Sequence, residues 1–438
     1  MSTLADRLRG VIRPTQQGEA GLPLPSGDRV PDAACAEALG GTWHEAHGHR
    51  FLLVDRTYRP GHRHGRIALA DVLPPAGQSW PGLDLLGNAS RDGHMLFLDL
   101  ETTGLAGGAG TYAFLVGCAW FEAGVLRLRQ YFLSTFAAER ALLCTVAEAA
   151  RLSGTLVTYN GKTFDLPLLD TRFLMHRLEA PFASRPHVDM LHPARRLWRG
   201  EDDEAAGTTS SCKLSLLEET LLGHVREGDV PGFEIPSRYF HYVRTGDAGP
   251  LEPVLEHNRL DLLSLACVTS RAADLLAQGP SKASTGREAY GLGRLYERAG
   301  RSVVARACYA RAGGLDEGGG SLLSRVDWVT KAEALRAYAL LARRERRHDD
   351  AAAAWERIVA LRRSPTSITQ QAIDALAVHH EHRLGDARAA RALALRSLAL
   401  VGSRSRQDAV AHRLARLDRQ LGEASGLFGG GVPVRTGH

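Results

Sequence analysis

The 438-residue chain has no run of 18 or more apolar residues, so no helical membrane span is expected. Its opening stretch, MSTLADRLRGVIRP, lacks an apolar core, so no secretory signal peptide is expected. Its cysteines stand singly at Cys35, Cys118, Cys144, Cys212, Cys267 and Cys308. None forms a C-x-x-C pair, which argues against a zinc ribbon and against a disulfide framework. Reduced thiols in a cytoplasmic protein are the expectation. Lysine is scarce: only Lys162, Lys213, Lys282 and Lys331 stand among 54 basic residues. In a chain that otherwise uses arginine, a retained lysine marks a place where a compact ammonium suits better than a guanidinium.

What is present describes a globular protein. Hydrophobic residues make up 44% and charged residues 24%, both ordinary for a folded chain, and the length allows two or three domains. The net charge of +5 is unevenly spread. From residue 281 onward there are 27 Lys and Arg against 16 Asp and Glu, a net of +11, while the first 280 residues carry a net of −6. A basic C-terminal half implies a polyanionic partner.

The chain divides by pattern. Residues 1–88 are rich in Gly, Pro and His, with one strand signal in HRFLLVDRTY. Five histidines there, His44, His47, His49, His62 and His64, match no metal spacing and read as surface and turn residues. Residues 89–279 alternate strands and helices. MLFLDLE is a short buried strand, and TYAFLVGCAWF and VLRLRQYFL form a hairpin around EAG. GTLVTYNG is a further strand, TFDLPLLDTRFLMHRL a helix, HVDML a short strand and EDDEAAGTTSSC a polar loop. KLSLLEETLLG is a helix ended by Gly223, and a long amphipathic helix spans PLEPVLEHNRLDLLSLACVTSRAADLLA. Residues 286–425 are helical throughout. Leu292, Gly293, Tyr296, Ala305, Tyr309 and Ala312 fall at the spacings of a tetratricopeptide-type hairpin, with looser units following. Residues 426–438 read as a flexible tail.

Chemistry concentrates in three segments. In FLDLETTG, Asp99 and Glu101 are two apart on a strand and point to one side. Two like charges there call for a cation or a proton, and hard oxygen ligands favour Mg²⁺ or Mn²⁺. In TYNGKTFDLPLL, a strand ends at Tyr159, Asn160 and Gly161 turn, and Asp165 starts a helix. In EHNRLDLLSL, His257 and Asp261 are four apart on one helical face, an imidazole beside a carboxylate.

Four carboxylates in this order resemble the DEDD exonuclease superfamily, with its ribonuclease H-like fold. The first motif is matched by FLDLETTG, the second by YNGKTFDLPLL and the third by Asp261 on a late helix. The chain is most similar to bacterial predicted exonucleases of that superfamily that carry tetratricopeptide repeats; DVPGFEIPSRYF and EHNRLDLLSL carry the closer likeness. The resemblance implies a mixed five-stranded sheet flanked by helices, followed by an all-α repeat domain. It implies two divalent metal ions, Mg²⁺ or Mn²⁺, held by Asp99, Glu101, Asp165 and Asp261. It also implies nucleic acid, single-stranded or a 3′ end, as substrate. Thr102, Gly104, Asn160, Lys162 and Phe164 would meet that substrate, and a protein partner would use the repeats. The family places a histidine five residues, or a tyrosine four residues, before the last aspartate. Here Glu256 is five before and His257 four before, so the candidate general base is turned by about 100° on the helix.

The enzyme reading is a 3′–5′ exonuclease. An endonuclease of ribonuclease H type fits less well, because Glu101 lies on the first strand. The competing class is a catalytically weak or inactive nucleic-acid-binding scaffold acting through its helical repeats.

Overall fold

The computed structural model describes residues 33–74, 78–90, 93–104, 110–199, 212–315, 328–400 and 404–428. The polar loop expected at 201–212 and the tail beyond Phe428 lie almost wholly outside the described residues. The first half runs α1 (Ala33–Leu39), β1 (Thr42–Ala46), β2 (His49–Tyr58), β3 (Arg63–His64), β4 (Ile67–Ala68), α2 (Leu83–Leu86), β5 (His94–Thr102), β6 (Ala113–Glu122) and β7 (Val125–Phe132). It continues with α3 (Glu139–Arg151), β8 (Ser153–Thr158), α4 (Asp165–Met175), β9 (His187–Asp189), α5 (Leu191–Trp198), α6 (Leu214–Leu217), α7 (Ile235–Thr245) and α8 (Glu252–Gln278).

Seven of these strands form one sheet in the order β1-β2-β7-β6-β5-β8-β9. The expectation of five strands is corrected to seven. The strand read at HRFLLVDRTY does not stand apart: β2 pairs antiparallel with β7, Val54 opposite Gln130, and carries β1 with it. The central strand β5 is antiparallel to β6 and parallel to β8, which is parallel to β9. Ala123 and Gly124 turn the β6–β7 hairpin, both at positive φ, as the two-residue turn of a right-twisted hairpin demands.

Both faces of the sheet are covered, so β5 alternates between two cores. Leu96, Leu98 and Leu100 pack on the side of α3 and α7, where Tyr239 stacks on Phe114 at 4.2 Å. Met95 and Phe97 pack on the other side, against the core that includes Leu262 and Leu265 of α8. By the period of two, Asp99 and Glu101 continue this second face. Helix α8 departs from the amphipathic expectation. Leu262 through Ser270 are all buried, because α8 is enclosed by the sheet and by neighbouring helices.

The C-terminal half is helical as expected: α9 (Gly286–Arg298), α10 (Ser302–Gly313), α11 (Trp328–Arg344), α12 (His348–Val359), α13 (Thr366–His379), α14 (Ala387–Leu400) and α15 (Arg404–Phe428). Glycine permits the close crossings. A Cβ on Gly293 would lie 2.4 Å from the Tyr309 ring, and one on Gly291 would lie 2.3 Å from the carbonyl oxygen of Arg196. The second contact seats α9 directly on α5.

Candidate functional site

The acidic end of β5 is shaped by its neighbours. The β5–β6 register slips between Glu101 and Thr102, a bulge that bends the strand end where the two carboxylates emerge. Asp99 lies opposite Gly117 of β6, which lies opposite Gln130 of β7. A Cβ on Gly117 would lie 2.3 Å from Oδ1 of Asn258 on α8. The glycine therefore lets the fully buried Asn258 reach across the sheet. Gln130 Nε2 donates to Asn258 Oδ1 at 3.0 Å and to the carbonyl of Leu255 at 2.7 Å. With its oxygen so engaged, Asn258 turns its amide nitrogen to Asp99 Oδ2, 2.8 Å away.

Asp165 is set by a second construction. Asn160 takes a positive φ of 68°, as its Asn-Gly turn suggests. The backbone N–H groups of Asn160, Lys162 and Leu191 all donate to the buried Asp189 carboxylate, at 2.7, 3.1 and 3.1 Å. Asp189 thus holds the turn that starts α4. Further along α4, the buried Arg172 pairs with Glu139 of α3 and lies 4.0 Å over the Tyr112 ring, anchoring the helix that carries Asp165.

The four carboxylates act on one another. Burial pushes Asp99 well above the usual carboxylate range, and the charges of Asp261 and Asp165 push it further. Glu101 is raised by burial, then by Asp99, Asp261 and Asp165. Asp165 is pushed up to about 7 by burial, then by Asp189 and Asp261. The residues singled out in three separate segments therefore share one electrostatic environment, short of positive charge.

Asp261 has a partner that sequence reasoning missed. Arg226, on the loop before α7, pairs with Asp261, with Glu218 and, at 3.4 Å, with Asp229. Burial opposes its charge, and these carboxylates more than compensate, so the guanidinium stays charged. Glu218 in turn accepts from Ser264, whose hydroxyl lies 2.6 Å from His64 Nε2. The hydroxyl's one hydrogen goes to Glu218, so His64 donates. His64 is 2% exposed, which corrects its reading as a surface or turn residue; His47 and His49 are exposed as expected. Burial lowers its pKa to about 3, aided by His224, Arg259 and Arg226. His257 stands beside Asp261 as expected: Nδ1 is 2.6 Å from Asp229 Oδ1 and Nε2 is 3.5 Å from Asp261 Oδ2.

Of the residues expected to meet substrate, Lys162 is exposed and Phe164 is 56% exposed, both at the turn leading into Asp165. The Thr102 hydroxyl donates to the Gly104 carbonyl at 2.9 Å, closing the turn after Glu101.

The donor set is all oxygen on the acid side, which suits a hard divalent cation. No group of three or more His, Cys, Asp or Glu side chains among the described residues is already arranged as a metal cage. The fit therefore rests on chemistry: Asp99, Glu101 and Asp165, raised by burial and by the Asp261 charge, are carboxylates that a cation would relieve.

Among the described residues, no helix is long and apolar enough to cross a membrane. Residues 96–273 match a family described as RNase_H superfamily. The chain is 35% identical over 218 residues to the uncharacterized protein YprB of Bacillus subtilis (strain 168). That match covers 49% of this chain and 51% of YprB, so the chain spans about half the length of the curated relative. Among solved structures, the family B DNA polymerase of the archaeon Pyrobaculum calidifontis aligns at 13% identity and a TM-score of 0.33. That alignment covers 47% of this chain and 29% of the polymerase. Residues 96–273, the segment that contains all four carboxylates, accordingly carry an RNase H superfamily domain.

Proposed function

We propose that the chain is a metal-dependent nuclease that hydrolyses phosphodiester bonds of DNA or RNA, acting as a 3′–5′ exonuclease of the DEDD type. One observation carries the reading. Asp99, Glu101 and Asp165, from two strand positions and a strand-to-helix turn, each have their proton affinity raised by burial and then by neighbouring charges that include Asp261 on a late helix. In this reading Asp99, Glu101, Asp165 and Asp261 hold two Mg²⁺ or Mn²⁺ ions. Bound there, such ions supply Lewis-acid polarisation of the phosphate and lower the pKa of the attacking water.

The chain's own residues do the rest. Asn258 fixes the Asp99 carboxylate, and Arg226 fixes Asp261. Asp229 Oδ1 at 2.6 Å and the Arg226 guanidinium at 3.2 Å both engage Nδ1 of His257. That leaves Nε2 to accept a proton from water next to Asp261. Lys162 meets a phosphate as a point charge, and Phe164 offers its exposed ring to a terminal base. Thr102, Gly104 and Asn160 line the same end. Residues 89–279 form the nuclease unit, and residues 286–425 form a tetratricopeptide-like unit that recruits nucleic acid or a protein in the cytoplasm.

Arg226 favours a second reading. It already supplies Asp261 with a cation, so the site binds nucleic acid with little turnover wherever that pair persists. End-labelled single-stranded DNA and RNA in Mn²⁺, Mg²⁺ or chelator separate the two. Stepwise metal-dependent shortening from the 3′ end supports the exonuclease. Binding without cleavage in either metal supports the scaffold.

A further inference from the structure

The helical half holds a groove with unbalanced charge. A cavity of about 1120 Å³ lies between α11, α12, α13 and α15, and one of about 730 Å³ lies between α9, α10 and α11. Glu333, Arg336 and Arg343 line both, so the two are one continuous groove. Arg294, Arg298, Arg336, Arg343, Arg383 and Arg406 along it are all exposed.

The acids of the groove are already engaged. Glu297 is held by Arg344 and accepts from Tyr309 at 2.6 Å. Glu333 bonds Tyr290, and Asp374 accepts from Ser397 at 2.6 Å. Among the described residues, Arg294, Arg298, Arg343 and Arg406 have no carboxylate within ion-pair distance. Arg336 bonds Gln371 and Arg383 bonds His348, rather than a carboxylate, among the described residues. These like charges are gathered, among the described residues, without carboxylate partners of their own.

The groove leads back to the acidic site. Arg196 of α5 is depressed by burial and then by the charges of Arg298 and Arg294, so these three guanidinia face one another across the α5–α9 contact. Its neighbour Arg195 lies close enough to lower the proton affinity of Tyr159, the residue before Asn160. Helix α5 carries both arginines against α9, where a Cβ on Gly291 would lie 2.3 Å from the Arg196 carbonyl oxygen and Arg287 donates to the Arg195 carbonyl at 3.5 Å, so basic side chains stand between the groove and the strand end at Tyr159.

The geometry points to a second nucleic-acid site: this groove binds the phosphate backbone of a single strand whose end lies at the carboxylates. A strand repeats its anion at every nucleotide, which matches a row of arginines better than the scattered charges of a folded partner. The inference rests on the nuclease reading only for where the strand ends.

The test is fluorescence anisotropy in chelator, with single strands of roughly 10 and 30 nucleotides, DNA and RNA. Wild type, Arg294→Gln/Arg298→Gln/Arg343→Gln and the matching triple lysine variant are compared across salt. Wild type is expected to hold the longer strand more tightly. The glutamine variant is expected to lose about tenfold on it, and its salt slope to fall by about 2, at roughly 0.7 per phosphate contact on a single strand. The lysine variant is expected to keep most of the slope. Unchanged long-strand affinity and slope in the glutamine variant overturn the groove. So does a lysine variant as weak as the glutamine one. Polyglutamate binding that needs these arginines, with strand binding that does not, overturns it in favour of an acidic protein surface. Wild type that cleaves no strand in Mn²⁺, while groove-dependent binding persists, overturns the nuclease reading and leaves the groove.

Discussion

Arg226 joins the acidic cluster to the interior beneath it. Its side chain is 6% exposed and serves Glu218, itself 1% exposed, and Asp261. Replacing it by methionine leaves Glu218 as a buried carboxylate without its cation. A loss of about 3–5 kcal/mol in urea unfolding is expected. A loss below about 1 kcal/mol would show that water reaches Glu218 and that the pair is dispensable. His64, at the far end of the same chain of hydrogen bonds, gives a pH signature. Its folded pKa of about 3 lies below the unfolded value of 6.5, so the unfolded chain takes up the proton first. Its contribution is therefore complete above pH 6.5 and is lost as pH falls toward 3, by up to about 5 kcal/mol. Between pH 6.5 and 4, the stability slope of His64→Gln is expected to be smaller by about one proton than that of wild type. Equal slopes would mean that His64 is protonated in the folded state. None of this is visible in the sequence. Glu218 and Arg226 are only eight residues apart, but His64 reaches them through Ser264 from 200 residues away, and no local periodicity couples them.

Elements explain what was legible. The carboxylates Asp99 and Glu101 were readable because a strand has a period of two. Asp165 was readable because Asn-Gly ends a strand, and His257 with Asp261 because i and i+4 share a helical face. What escaped were the residues that meet across elements. Gly117 reads as one weak point in an apolar strand, yet it is the gap through which α8 touches β5. Gly117→Ala must displace Asn258 or Leu262, whose atoms would lie 2.3 and 2.7 Å from the new Cβ. A destabilisation of about 1–3 kcal/mol is expected, with loss of the Asn258–Asp99 bond and of cleavage. Melting temperature and cleavage rate, measured together, check it. A variant unchanged in both would show that α8 is free to shift. Strand β2 was legible, but β1 and the pairing of β2 with the sheet escaped for the same reason, since β2 finds β7 only in the folded sheet. Helix α8 was misread as amphipathic because its enclosure depends on elements on every side of it.

At the scale of the whole molecule, a sheet covered on both faces ends in two carboxylates, joined by one from α4 and one from α8, and a helical half rich in arginine is seated on α5. Composition already separated a net −6 half from a net +11 half. Which arginines face one another follows from Gly291 letting α9 approach α5. The central claim is that Asp99, Glu101, Asp165 and Asp261 work as one cation-dependent site. The most direct test is the Mn²⁺-dependent cleavage rate of wild type beside Asp99→Asn, Glu101→Gln, Asp165→Asn and Asp261→Asn, and one pairwise combination. Each single variant is expected to lose on the order of 100-fold or more, and the double to lose little beyond the worse single, because members of one unit fail together. Single variants that cleave at the wild-type rate, with losses that multiply in the double, would contradict the account.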